Sequence, residues 1–154
     1  MQSNIKNSIG DFLFTVHPDE ISMILLSPND VIGNFMYILN KWLFYTKEQY
    51  FVSILKNDNE INIMVSSKLI KDSSAEIKYK KYPKNYNIIQ ILEGSQVISV
   101  SGIIHNLTGL FAEKDIPILY NSTYLNDYIF VEEGFIDQAI DILEQNNLKK
   151  VEQE

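Results

Sequence analysis

The apolar positions of this chain change period several times, and each change marks an element. EISMILLS, residues 20–27, is a compact apolar run that stops at Pro28 and predicts a short strand. Asn29 or Asp30 then offers a helix cap, and Val31, Ile32, Phe35, Met36 and Leu39 recur at helical spacing, predicting one apolar face up to about Leu39. The next element, WLFYTKEQYFVSILKN, residues 42–57, is rich in the aromatic and branched residues that favour strands. The polar KNDNE, residues 56–60, predicts a turn before the alternating strand INIMVSSKL, residues 61–69. SSKLIKDSSAE, residues 66–76, offers a weak helix.

The pattern then repeats. NIIQILEG and SQVISVSG, residues 87–94 and 95–102, are extended runs divided at Gly94. From Gly102, residues Ile103, Ile104, Leu107, Leu110 and Phe111 share one helical face, which ends near Lys114 and Asp115 ahead of Pro117. IPILYNSTY (116–124) and DYIFVEEG (127–134) predict a hairpin with Asn126 and Asp127 at its turn. Phe135, Ile136, Ala139, Ile140 and Leu143 define a last helix, and LKKVE, residues 148–152, a short closing strand. Strand, helix, strand, strand, helix and strand is the order of an antiparallel sheet with two helices on one face, the ferredoxin-like plan. The expectation is therefore an α+β protein of two such βαββαβ modules, over residues 8–84 and 85–154.

Composition narrows the chemistry. At 154 residues with 45% hydrophobic side chains the chain has ample core. It holds no cysteine, which excludes disulfides and thiolate sites. No run approaches the roughly 20 apolar residues of a membrane span, and the start MQSNIKNSIGDFLF has no apolar leader, so a cytoplasmic chain without membrane partners is expected. All 13 basic residues are lysines and the net charge is -7. Without the bidentate guanidinium fork, and with an acidic surface that repels phosphate backbones, nucleic acid is not an expected partner. Lys78, Lys80, Lys81 and Lys84 form a local basic cluster on a predicted strand, where charge discourages edge-to-edge pairing; the alternative, a binding patch, lacks the interleaved arginines it would call for.

Catalytic patterns are missing. His17 in VHPDE and His105 on the helix after Gly102 stand without a serine elbow, an HExxH pair or a spaced ligand set. The pairs Asp19-Glu20 and Glu132-Glu133 are strand neighbours, which point to opposite faces. The glycines make neither of the usual phosphate loops. No catalytic residue, metal ligand or cofactor is expected, and the chain is not expected to be an enzyme.

Gly102, at the change from strand to helix, lets a ligand approach the free N–H groups of a first helical turn, where the helix dipole favours a carboxylate. Asp127 offers a negative charge to an ammonium group; equally, aspartate is a common turn residue, and a glycine at a helix start also permits close packing.

The stretch SGIIHNLTGLFAEKDIPILYNSTYLNDYIFVEEGFIDQAIDIL, residues 101–143, resembles the ACT domain, a small ligand-binding regulatory module. It is most similar to the branch found in bacterial tandem-ACT proteins and the eukaryotic cytosolic arginine sensor CASTOR. The match is carried by the glycine before Ile103-Ile104, Asp115-Ile116-Pro117, Ser122-Thr123-Tyr124, and Asp127 before Tyr128 to Val131. It extends over residues 86–146; from Glu20 to Ser67 the likeness is one of element order and of the FYTKEQ-like strand, residues 44–49. The resemblance implies a non-catalytic sensor that binds a free amino acid where two modules meet. Gly102 and Ile103 would contact the ligand through backbone groups, Thr123 and Tyr124 would line the pocket, and Asp127 would pair with a cationic group. It also implies a homodimer and a regulatory protein partner. Arginine-sensing members carry an acidic residue two positions before the glycine; Val100 stands there in this chain, which argues against arginine. The competing expectation is an interaction module of the same architecture that binds no small molecule.

Overall fold

The structure, a computed structural model, describes residues 12–27, 34–44, 50–73, 78–92 and 102–152. The elements run β1 (Leu13–Val16), β2 (Ile21–Leu26), α1 (Asn34–Phe44), β3 (Val52–Lys56), β4 (Ile61–Ser66), α2 (Ser67–Ser73), β5 (Lys80–Leu92), α3 (Ile103–Ala112), β6 (Ile118–Ser122), β7 (Asp127–Glu132), α4 (Ile136–Gln145) and β8 (Lys149–Lys150). They fall into two compact units, Asp19–Tyr86 and Met1–Pro18 with Asn87–Glu154. The class is α+β, as the element order predicts.

In the unit Asp19–Tyr86 the strand order is β3-β4-β2-β5, antiparallel throughout. Alternation decides which side chains meet the helices. Leu26 pairs with Ile61 and Ile24 with Ile63, and these four pack with Phe35, Ile38 and Trp42 of α1 and Leu69 and Ile70 of α2. The KNDNE turn is built by Asn57, whose Oδ1 accepts the backbone N–H groups of Asn59 (2.8 Å) and Glu60 (2.9 Å).

Two elements here differ from expectation. α1 continues through Trp42, Leu43 and Phe44, which strand propensity assigns to the next element. The continuation places Trp42, only 3% exposed, one further turn down the stripe Phe35, Ile38, Leu39, Trp42, and this burial outweighs a propensity worth a few tenths of a kcal/mol. Met36 falls off the stripe and is 60% exposed. The strand from Ile61 ends at Ser66, and α2 begins at Ser67, whose N–H bonds the Glu20 carbonyl at 2.8 Å. A helix buries the adjacent Leu69 and Ile70 in one core, which a strand, alternating its faces, cannot do. A buried polar knot closes this end. The Ser66 hydroxyl donates to Asp19 Oδ2 (2.8 Å) and accepts the Phe51 N–H (3.0 Å), and Lys68 Nζ lies 3.1 Å from Asp19 Oδ1.

In the other unit the order is β6-β7-β5-β1-β8, with β1 antiparallel to β5 and β8 parallel to β1. The purely antiparallel expectation is corrected here. β1 already occupies the side of β5 at Ile89–Leu92, so the strand from LKKVE is left to the outer side of β1, with Leu13 opposite Lys149. Phe14, Ile89, Ile91, Ile129 and Val131 supply the sheet side of the core; Leu107, Phe111, Ala139 and Leu143 supply the helical side. Both helices end alike. Asp115 (φ 54) follows α3 and Asn147 (φ 69) follows α4, and the next residue of each, Ile116 and Leu148, donates its N–H back to the carbonyl of Phe111 or Leu143. These are Schellman ends, and the residues that make each bond, Phe111 with Ile116 and Leu143 with Leu148, also belong to the buried core. SQVISVSG up to residue 101, and the cap and first turn expected at 29–32, lie outside the described residues.

Candidate ligand-binding site

Gly102 is the N-cap of α3, with φ 94 and ψ -3. That left-handed backbone is what glycine adopts without strain, and it turns the chain into a ten-residue helix whose first N–H groups have no intrahelical acceptor. Gly102 is exposed, and a Cβ built on it meets no atom of the described residues within 4 Å, so those residues leave the approach to this turn open. Ile103 points the other way. Its side chain is 6% exposed and belongs to the core, leaving only its backbone for a ligand.

The β6–β7 hairpin places the other expected residues. Ser122 and Asp127 are the last ladder pair, so the turn is made by Thr123 to Asn126, and Asp127 is the first residue of β7 rather than a turn residue. Thr123 explains the shift. Its N–H and hydroxyl both donate to the Asn126 carbonyl (2.8 and 3.0 Å), and its Oγ1 accepts the Asn126 N–H at 3.2 Å. Thr123 thereby closes a four-residue loop in which its hydroxyl is already engaged. Tyr124, at the tip, is 93% exposed. Asp127 is half-buried, and its carboxylate makes no hydrogen bond or ion pair among the described residues.

The structure thus gathers the expected residues as two sets, Gly102 with Ile103 on one helical turn and Thr123, Tyr124 and Asp127 on one hairpin, without a hydrogen bond or ion pair joining them among the described residues. One residue escapes the sequence reading. Asn106 donates its backbone N–H to the Gly102 carbonyl (3.0 Å), while its side-chain Nδ2 is buried without a partner among the described residues. Its place four residues after Gly102, one turn along the same helix, is the signal that marks it. His105 is exposed and His17 half-buried. Among the described residues no three His, Asp or Glu side chains gather as a metal site, and no helix is long and apolar enough to cross a membrane.

Residues 81–145, which include the Gly102 turn and the hairpin, match the family model of the ACT domain. No curated protein matches the chain. Among solved structures, a protein from Agrobacterium tumefaciens is similar with a TM-score of 0.68 at 17% identity, over 93% of this chain and 94% of that one. A protein of unknown function from Vibrio cholerae, described as a possible transport protein, is similar with a TM-score of 0.70 at 10% identity, over 95% and 98% of the two chains. The regulatory subunit of aspartate kinase from Thermus thermophilus, in its ligand-free form, is similar with a TM-score of 0.57 at 10% identity, over 86% and 95%. At such identities the likeness is one of fold. The match to the ACT domain rests on residues 81–145, and an aspartate kinase regulatory subunit shares the fold across most of the chain.

Proposed function

We propose that this chain is a non-catalytic, amino-acid-responsive regulatory or sensor protein of the cytoplasm, built from two ACT modules. The carrying observation is that the stretch matching the ACT domain contains both an open helical first turn at Gly102 and the Asp127 carboxylate, which has no partner among the described residues. A free amino acid has the complementary pair of charges: its carboxylate suits the N–H groups of the turn, and its ammonium or a cationic side chain suits Asp127. This reading keeps the two modules expected over 8–84 and 85–154, and the division into two compact units, Asp19–Tyr86 and Met1–Pro18 with Asn87–Glu154, supports it.

A homodimer belongs to the same reading. Met36, Tyr37 and Phe44 of α1 are 60%, 69% and 75% exposed, a run of large apolar side chains that a second α1 in a two-fold pair would cover. The exposed Tyr124 has free surface for a neighbouring module to complete a pocket around Thr123, Tyr124 and Asp127.

The test is a thermal-shift screen against the free amino acids. A ligand at 100 times its dissociation constant stabilises by about 2.7 kcal/mol, which for a chain of this length raises the melting temperature by roughly 5–10 °C. No shift with any amino acid at millimolar concentration contradicts the sensor reading. It would favour the second reading, an ACT-like interaction module that regulates a protein partner, to which the exposed Tyr124 and the engaged Thr123 hydroxyl also lend support.

A further inference from the structure

The lysines that lead into β5 have no part in the site at Gly102 and Asp127. We propose that Lys78, Lys80 and Lys81 attract a small organic anion with an apolar body to a second site, within the unit Asp19–Tyr86. Two adjoining recesses lie there. One, of about 200 Å³, is lined by Leu25, Leu26, Ser27, Asn59, Lys78, Tyr79 and Lys80. The other, of about 260 Å³, shares Leu25 and Lys80 with it and adds Met23, Lys81, Tyr82 and Pro83.

A charged strand edge accounts for lysines on a surface but not for recesses beneath them. Leu25 and Lys80 are cross-strand partners, so one pair supplies both an apolar wall and an ammonium group. Leu26, 2% exposed, and the half-buried Tyr79 floor the first recess. Lys78, Lys80 and Lys81 are exposed and enter no ion pair among the described residues, although the chain carries net charge -7. Among the described residues the lining of the first recess holds two ammonium groups and no carboxylate; the second holds Glu60, whose Oε1 accepts from Asn57 Nδ2 at 3.5 Å. Positive charge concentrated over an apolar hollow selects a molecule with a carboxylate or phosphate head and a hydrophobic remainder. Lysine, a flexible point charge, selects the charge rather than a particular head-group shape.

Phenylacetate, with its neutral amide phenylacetamide as the control, tests the proposal in a ¹⁵N-labelled chain followed by NMR. Phenylacetate should shift the backbone signals of Leu25, Ser27, Asn59 and Lys80, and phenylacetamide should bind about tenfold more weakly or worse. Raising the salt should narrow that difference. Lys78→Gln with Lys80→Gln, both exposed positions, should bring phenylacetate down to the affinity of the amide, and the labelled spectrum itself reports that the variant is folded. Asp127→Asn should leave phenylacetate binding unchanged, which keeps this site separable from the one proposed above. No shifts at millimolar phenylacetate, shifts confined to residues 102–127, equal binding of the amide, or an unaltered double variant would each overturn it.

Discussion

Gly102 and Gly109 allow one chemical change to be made twice with opposite expected signs. Both become alanine without steric contact, since a Cβ built at either position meets nothing within 4 Å. Only the backbone differs. Gly102 sits at φ 94, where an L-residue costs about 1–2 kcal/mol; Gly109 lies inside α3 and is not among the positive-φ residues, so alanine there gains about 0.5–1 kcal/mol. Gly102→Ala should therefore lower stability and Gly109→Ala raise it, leaving the two variants about 1.5–3 kcal/mol apart. Urea unfolding followed by circular dichroism measures this as a displacement of the midpoint at constant slope. Two midpoints moving in the same direction would refute the left-handed turn at Gly102, and with it the open first turn on which the ligand site depends.

Trp42→Ala should cost about 3–5 kcal/mol, because the ring is buried against both sheet and helices of its unit; a loss under about 1 kcal/mol in the same urea assay would mean that α1 does not reach residue 42. Ser66→Ala should cost about 1–3 kcal/mol, since it removes the hydroxyl that accepts the Phe51 N–H and donates to the buried Asp19 carboxylate. Lys68→Ala, whose partner is the same Asp19 but whose side chain is 65% exposed, should cost at most about 1 kcal/mol, and a reversed ranking in denaturant titrations would remove Ser66 from the centre of that knot. Phe44→Glu should convert the proposed dimer to monomer in gel filtration with light scattering, with the melting temperature of the monomer little changed; a wild-type chain that already elutes with the mass of one chain at micromolar concentration rules out the dimer.

What is legible in the sequence is local. Ala139 and Leu143 mark α4, Leu107 and Phe111 mark α3, and Asn57 builds its turn through its own side chain, so periodicity or turn chemistry reveals each directly. What is not legible depends on partners distant in the chain. Leu13 to Val16 are four residues, too few to announce a strand, and only their register with Ile89–Leu92 makes them one. Trp42 reads as a strand residue by propensity and becomes helical because it completes a core with Ile24, Ile63, Leu69 and Ile70; that core is assembled from segments tens of residues apart. In the candidate site, the glycine at the start of α3 and the aspartate near the hairpin are both readable, but the boundaries of the loop are not. Whether Asp127 turns or pairs depends on the Thr123 side chain capturing the Asn126 backbone, which closes the turn before residue 127.

The central claim is that the Gly102 turn and Asp127 hold a free amino acid between them, and calorimetric titration tests it most directly. The amino acid giving the largest thermal shift is titrated into the wild-type chain and into Asp127→Asn. Asparagine keeps the shape of the side chain and removes its charge, so the unliganded melting temperature should stay within about 1–2 °C of wild type, as expected for a partly exposed position without a partner among the described residues. Loss of a charge-assisted hydrogen bond costs roughly 1.5–3 kcal/mol, so the affinity should fall about tenfold to hundredfold. An affinity unchanged by Asp127→Asn would contradict the account, and would leave the match to the ACT domain as evidence of fold alone.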